Sequence, residues 1–281
     1  MPRINPDALY AEDSHDPLDP PASGPLITFT VHGSDIHAML YIPKGPGPHP
    51  LTIMLHGLPG GNKSEDIAQA LRRVGMAALI FSYRGSWGSG GNWSYRNCYE
   101  DARSLCQQMR DPALAARYRL DPERILLLGH SFGGALALLT ARDLDVRDLI
   151  VLSPSDPARQ WQTAAATEEG RLRRMRRLEA ICGPLNNACA EQLWQETSEN
   201  LHTFDIWLAI EQFSRQRVLI VGAQYDTTLP VEQYYERQRD GLTERLPGQV
   251  TAHLLPTGHN YNSHRMELTK ILVDWLVEQG Y

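Results

Sequence analysis

Gly129-His130-Ser131-Phe132-Gly133 stands between an apolar run, residues 125–128, and a helix-like run, residues 135–141. A GxSxG pentapeptide joining a strand to a helix forces a turn so tight that the serine is held in a strained conformation. Side chains two residues either side of it would collide with the turn, and glycine removes that collision. The turn exposes Ser131 Oγ and leaves the Phe132 N–H at the positive end of the helix, where it favours a developing oxyanion. The pentapeptide therefore points to a nucleophilic serine, although the same five residues also fit an ordinary strand-to-helix turn.

Three further segments fall in the order that such chemistry requires. Upstream, the apolar residues 51–55 run into His56-Gly57-Leu58-Pro59-Gly60-Gly61, a loop whose Leu58 N–H is the expected second oxyanion donor. Downstream, residues 218–221 read as a buried strand ending in Gly222-Ala223-Gln224-Tyr225-Asp226, which leaves the Asp226 carboxylate just past a strand end. A last strand, residues 250–255, leads into Pro256-Thr257-Gly258-His259, which puts the His259 imidazole on a loop before a final helix. Ser131, Asp226 and His259 are thus the candidate nucleophile, acid and base.

In these segments residues 26–281 resemble the α/β-hydrolase superfamily. Within it, Phe81-Ser82-Tyr83-Arg84-Gly85-Ser86-Trp87-Gly88 is similar to the "YRGS" stretch of prolyl-oligopeptidase-like peptidases and of related bacterial esterases without a β-propeller, and Asp121-Pro122-Glu123-Arg124-Ile125 is similar to the same group. The HGLPGG loop differs from the His-Gly-Gly-Gly loop of hormone-sensitive-lipase-like esterases. The resemblance implies a doubly wound, mostly parallel, eight-stranded sheet. It also implies a serine hydrolase cleaving carboxylic esters, activated amides or thioesters through an acyl-enzyme, with no cofactor and no metal. A peptidase or acyltransferase would use the same triad, and a hydrolase fold serving as a non-catalytic binding module is the reading from another class.

Composition narrows the partners. With 27 Lys plus Arg against 33 Asp plus Glu, the net charge of −6 offers no basic face for nucleic acid. The expected partner is a small ester or acyl substrate. Cys98, Cys106, Cys182 and Cys189 form no CxxC pair, which speaks against structural zinc. Cys182 and Cys189 read as free thiols unless an oxidising compartment bridges them. No transmembrane run and no basic start with an apolar segment is present, so a cytoplasmic location is expected.

Along the chain, residues 1–24 are rich in Pro and Asp and read as a mobile or loosely docked arm. Residues 26–32 and 36–42 read as a hairpin about Gly33-Ser34. Ser64 is the expected hydroxyl N-cap of a helix ending near Gly75. About 65 residues without a strand separate residues 149–152 from residues 218–221, and a helical cap is expected at 156–215. Its basic run, Arg171, Arg173, Arg174, Arg176 and Arg177, reads as a solvated face because Glu168, Glu169 and Glu179 accompany it. Arg84, Trp87 and Trp93 on a glycine-rich loop, with Trp194 in the cap, are the candidate substrate-binding residues. His56 reads as a loop brace, His130 as packing, and His253, His264 and Asp156 as weaker rivals for the triad positions.

Overall fold

The computed structural model describes residues 4–13 and 18–281. Eight strands form one sheet: β1 (Leu26–Val31), β2 (Ser34–Tyr41), β3 (His49–Leu55), β4 (Ala77–Phe81), β5 (Leu120–His130), β6 (Asp148–Leu152), β7 (Arg217–Ala223) and β8 (Val250–Leu255). Their order across the sheet is β1-β2-β4-β3-β5-β6-β7-β8. The pairs β1–β2 and β2–β4 are antiparallel and the rest parallel. β3, β4 and β6 are buried along their whole length, as strands covered on both faces must be. β3 and β5 each begin earlier than their apolar runs suggest, because His49 still pairs with Leu120 across a register shift that accommodates Pro50.

Helices α1 (Glu65–Arg73), α2 (Tyr95–Gln108), α3 (Pro112–Arg117) and α4 (Phe132–Leu144) follow in chain order, and α9 (Tyr235–Arg245) and α10 (Arg265–Glu278) close the fold. They cover both faces: one apolar cluster joins the sheet to α2 and α4, and the other joins it to α1 and α10. Between β6 and β7 lie α5 (Pro157–Ala165), α6 (Glu168–Cys182), α7 (Ala190–Glu199) and α8 (Ile206–Ile210), the helical insertion expected from the length of that gap. α1 starts where expected, but Ser64 makes no side-chain cap; its backbone is left-handed and Asn62 Oδ1 accepts its N–H instead.

The described part of the arm contacts the body of the fold. Ile4 is buried among Val74, Met76 and the α1 residues, and Asn5 N–H donates to Val74 O at 2.8 Å. Further along, Gly45 N–H reaches Pro20 O, and Ser23 pairs with Ile42 in both directions. The described part of the arm is therefore docked, because its few apolar side chains meet an apolar groove that composition alone does not reveal. No helix among the described residues is long and apolar enough to cross a membrane.

Candidate active site

The strand order reverses beside β3, and in an open α/β sheet the crevice at the carboxyl ends of the strands at such a point is where ligands bind. Ser131 sits there, between β5 and α4, with φ 56° and ψ −118°. A non-glycine residue in that region costs about 1 to 3 kcal/mol and persists only where its surroundings fix it. Three bonds do so: Ser131 N–H donates to Leu152 O, and Ser155 N–H and Gly134 N–H donate to Ser131 O. The glycines are sterically required, since a Cβ on Gly129 would lie 2.2 Å from Gly133 O and one on Gly133 would lie 1.9 Å from Leu55 O. Ser131 does not cap α4 with its side chain, which leaves Oγ free.

His259 and Asp226 converge on that oxygen. His259 Nε2 lies 2.9 Å from Ser131 Oγ, and His259 Nδ1 lies 2.6 Å from Asp226 Oδ2. Asp226 Oδ1 also accepts the N–H groups of Thr228 and Leu229, both at 2.8 Å. Burial opposes the charge on Asp226, but the hydrogen bond from His259, its charge and these two amides outweigh burial and hold the carboxyl below its ordinary range. A carboxylate that only accepts fixes Nδ1 as the protonated nitrogen, so Nε2 accepts from Ser131.

The loops carrying these groups are tied together. Gln224 N–H donates to Leu255 O and Tyr225 N–H to Thr257 O, joining the Asp226 loop to the His259 loop. His130 Nε2 donates to His259 O at 2.9 Å, so His130 positions the histidine loop rather than merely packing. Tyr261, buried and hydrogen-bonded to Val221 O and Ser153, anchors the same loop. His264 lies at the start of α10 against Ser263, and Asp156 caps α5 and accepts from Trp207 Nε1; neither reaches the Ser131–His259 pair.

Leu58 and Phe132 line the same cavity as Ser131 and His259. Among the described residues neither backbone N–H donates to a backbone carbonyl, and the Phe132 N–H is among the unpaired donors at the start of α4. His56 braces the Leu58 loop as expected: its Nδ1 donates to Gly57 O at 2.8 Å and its ring packs on Tyr83.

The four expected substrate-binding side chains are elsewhere. Arg84 is buried and points away, its Nε on Asp101 Oδ1 at 2.5 Å and its Nη2 on Glu100 at 2.9 Å. Trp87 covers the outside of the HGLPGG loop and donates to Pro59 O. Trp93 is buried behind the site against Tyr95 and Phe132. Trp194 stacks on Trp161 within the cap. The cavity over Ser131, about 230 Å³, is lined instead by Tyr95, Pro157, Gln160, Ile181 and Leu229, together with Arg174 and Arg177 of α6. The signal for α6 lay in its spacing, since Arg174, Arg177, Leu178 and Ile181 share one helical stripe.

The chain is similar to known proteins. A model of the alpha/beta hydrolase family matches residues 52–269. A protein of Mycobacterium tuberculosis is 27% identical over 135 residues, covering 48% of this chain and 46% of that protein; the matched region thus spans about half the length of that curated relative. Est1E from Butyrivibrio proteoclasticus, solved with ferulic acid bound, superimposes with a TM-score of 0.69 at 19% identity, covering 90% of this chain and 98% of its own. EstE1, a thermophilic carboxylesterase cloned from a metagenomic library, superimposes with a TM-score of 0.66 at 18% identity, covering 92% and 89%. Those identities speak to the fold alone, whereas the family match runs from within β3 into α10 and takes in every residue of the Ser131 site, and on that ground the chain belongs to the alpha/beta hydrolase family.

Proposed function

We propose that this chain is a serine hydrolase of carboxylic esters. The observation that carries the reading is the unbroken line from Ser131 Oγ through His259 to Asp226, with distances of 2.9 and 2.6 Å, opening into a cavity beside the Leu58 and Phe132 N–H groups. His259 Nε2 takes the Ser131 proton as Oγ bonds to the ester carbonyl carbon. The carbonyl oxygen, now an oxyanion, is met by the two backbone N–H groups, and Asp226 stabilises the imidazolium. Collapse breaks the bond to the alcohol, which leaves with the proton from His259. Water then attacks the acyl-enzyme by the same steps in reverse, releasing the acid. The esterase structures that share this fold favour esters as the substrate class, and the Tyr83-Arg84-Gly85-Ser86 stretch favours the propeller-free prolyl-oligopeptidase-like branch.

Wild type should label with a fluorophosphonate probe and turn over p-nitrophenyl acetate, whereas Ser131→Ala should do neither, with kcat lower by about 10³-fold or more. A variant that keeps a tenth of wild-type kcat removes Ser131 as the nucleophile.

A further inference from the structure

The cap helix α6 carries five arginines, and they divide by direction. Arg173 pairs with Glu169 four residues earlier, Arg171 lies over the Trp194 ring, and Arg176 is exposed. Arg174, half-buried, and Arg177, which keeps part of its side chain exposed, lie three residues apart and both line the cavity that holds Ser131 and His259. Among the described residues neither lies within ion-pair distance of a carboxylate. Their hydrogen bonds are long and leave most donors unused: Arg174 Nη2 reaches Tyr95 Oη at 3.4 Å and Arg177 Nη1 reaches Thr228 O at 3.3 Å. Partial burial and then the neighbouring Arg174 charge lower the Arg177 pKa, as two like charges crowded at a cleft wall require. Asp226, the acid of the site, is committed to His259 and two amides.

Two neighbouring guanidinium groups at the wall of a cavity without a counter-ion repel each other, and a bound anion offsets that repulsion. Guanidinium forks match the planar and tetrahedral oxygen sets of carboxylate and phosphate, and they bind such groups with geometric specificity. The cavity, about 230 Å³, falls below the roughly 300 to 1,000 Å³ of sites for drug-sized ligands, so the charged group has to sit close to the reacting carbonyl. Resting on the ester-hydrolase reading above, we propose that Arg174 and Arg177 bind an anionic oxyacid group, carboxylate or phosphate, carried by a small ester within a few atoms of its scissile carbonyl.

Matched pairs test this. Monomethyl succinate against methyl butyrate places a carboxylate on the acyl side, and 2-acetoxyethyl phosphate against 2-methoxyethyl acetate places a phosphate on the alcohol side. In wild type at least one charged ester should exceed its neutral partner in kcat/KM by about tenfold or more, and which one does so names the anion and its side. In the Arg174→Met/Arg177→Met double variant that ratio should fall by about tenfold or more, chiefly through KM. Lysine at both positions should restore part of it, since charge without the planar fork gives weaker recognition. A measurement on wild type alone guards against a double variant that fails to fold: succinate should inhibit p-nitrophenyl acetate turnover more strongly than butyrate. Ratios near one in wild type, or a preference that survives loss of both arginines, would overturn the proposal. Absence of any Ser131-dependent turnover of p-nitrophenyl acetate would instead overturn the esterase reading on which it rests.

Discussion

His56 shows how much of this site depends on side chains that do not line its cavity. Its ring is almost wholly buried beneath the HGLPGG loop, Nδ1 donates to Gly57 O, and Nε2 has no partner among the described residues. Burial, with the nearby Lys63 charge adding to it, pushes its pKa down to about 4. In the unfolded chain an ordinary histidine takes up its proton near pH 6.5, so the unfolded state binds protons first as the pH falls. The neutral buried ring thus contributes stability that is fully present above pH 6.5 and is lost as the pH drops toward 4. The loss from this one residue should be about 2 kcal/mol by pH 5 and about 3 kcal/mol by pH 4. Urea unfolding of wild type and His56→Gln between pH 7.5 and 4.5 measures it, and the variant should show a shallower decline. Parallel declines in the two proteins would mean that His56 is protonated in the folded state. Ser131, Asp226 and His259 were legible in the sequence for a simple reason: each follows an apolar strand whose end fixes where the residue lies. Arg84 and Trp93 sit on an equally legible loop, but their direction depends on partners far along the chain. Asp101 draws Arg84 inward, and Tyr95 and Phe132 enclose Trp93.

At the scale of elements, the crossing of β3, β5 and α4 decides where Ser131 stands. α4 can begin directly beneath Leu55 only because Gly133 has no side chain, and the atom that a Cβ would meet is a backbone oxygen of a central strand, which cannot swing aside. Gly133→Ala should therefore lower stability by about 3 kcal/mol, at the upper end of overpacking costs. Gly183→Ala, where the added methyl meets nothing within 4 Å and φ is −49°, should stay within about 0.5 kcal/mol of wild type. Equal denaturation midpoints for the two variants would show that the elbow has room that its backbone geometry denies. The inner strands were legible from their apolar runs, because strands buried on both faces keep those runs nearly pure, whereas β1, β2 and β8 are partly exposed and the first two were read from the hairpin turn at Gly33-Ser34. The cap was legible only as a gap filled by helical composition. Its orientation was hard to read because the inward stripe of α6 mixes Leu178, Ile181 and Cys182 with Arg174 and Arg177, so the contrast between apolar inside and charged outside is weak.

Across the whole molecule, the site lies at the carboxyl ends of the strands, while the described part of the amino-terminal arm is bound along α1 and the opening of β3, away from the Ser131 cavity. Its attachment combines several modest contacts. Ile4 is 6% exposed among Ile67, Leu71, Val74 and Met76. Asp13 meets Arg72 at 2.8 Å, and Arg119 Nη2 donates to Pro21 O at 3.1 Å. The exposed ion pair adds little, but full burial of an isoleucine is worth about 1.5 to 3 kcal/mol, and removing it also uncovers the groove it fills. Deleting residues 1–22 should therefore lower Tm by roughly 4 °C or more, taking about 2 to 4 °C per kcal/mol for a domain of this size. Because none of these contacts reaches Ser131, His259 or the cap, kcat/KM for p-nitrophenyl acetate at 25 °C should stay within about twofold of the full chain. An unchanged Tm would mean that Ile4 leaves its groove in solution, whereas a large fall in turnover at 25 °C would mean that α1 and the HGLPGG loop preceding it depend on the arm for their position.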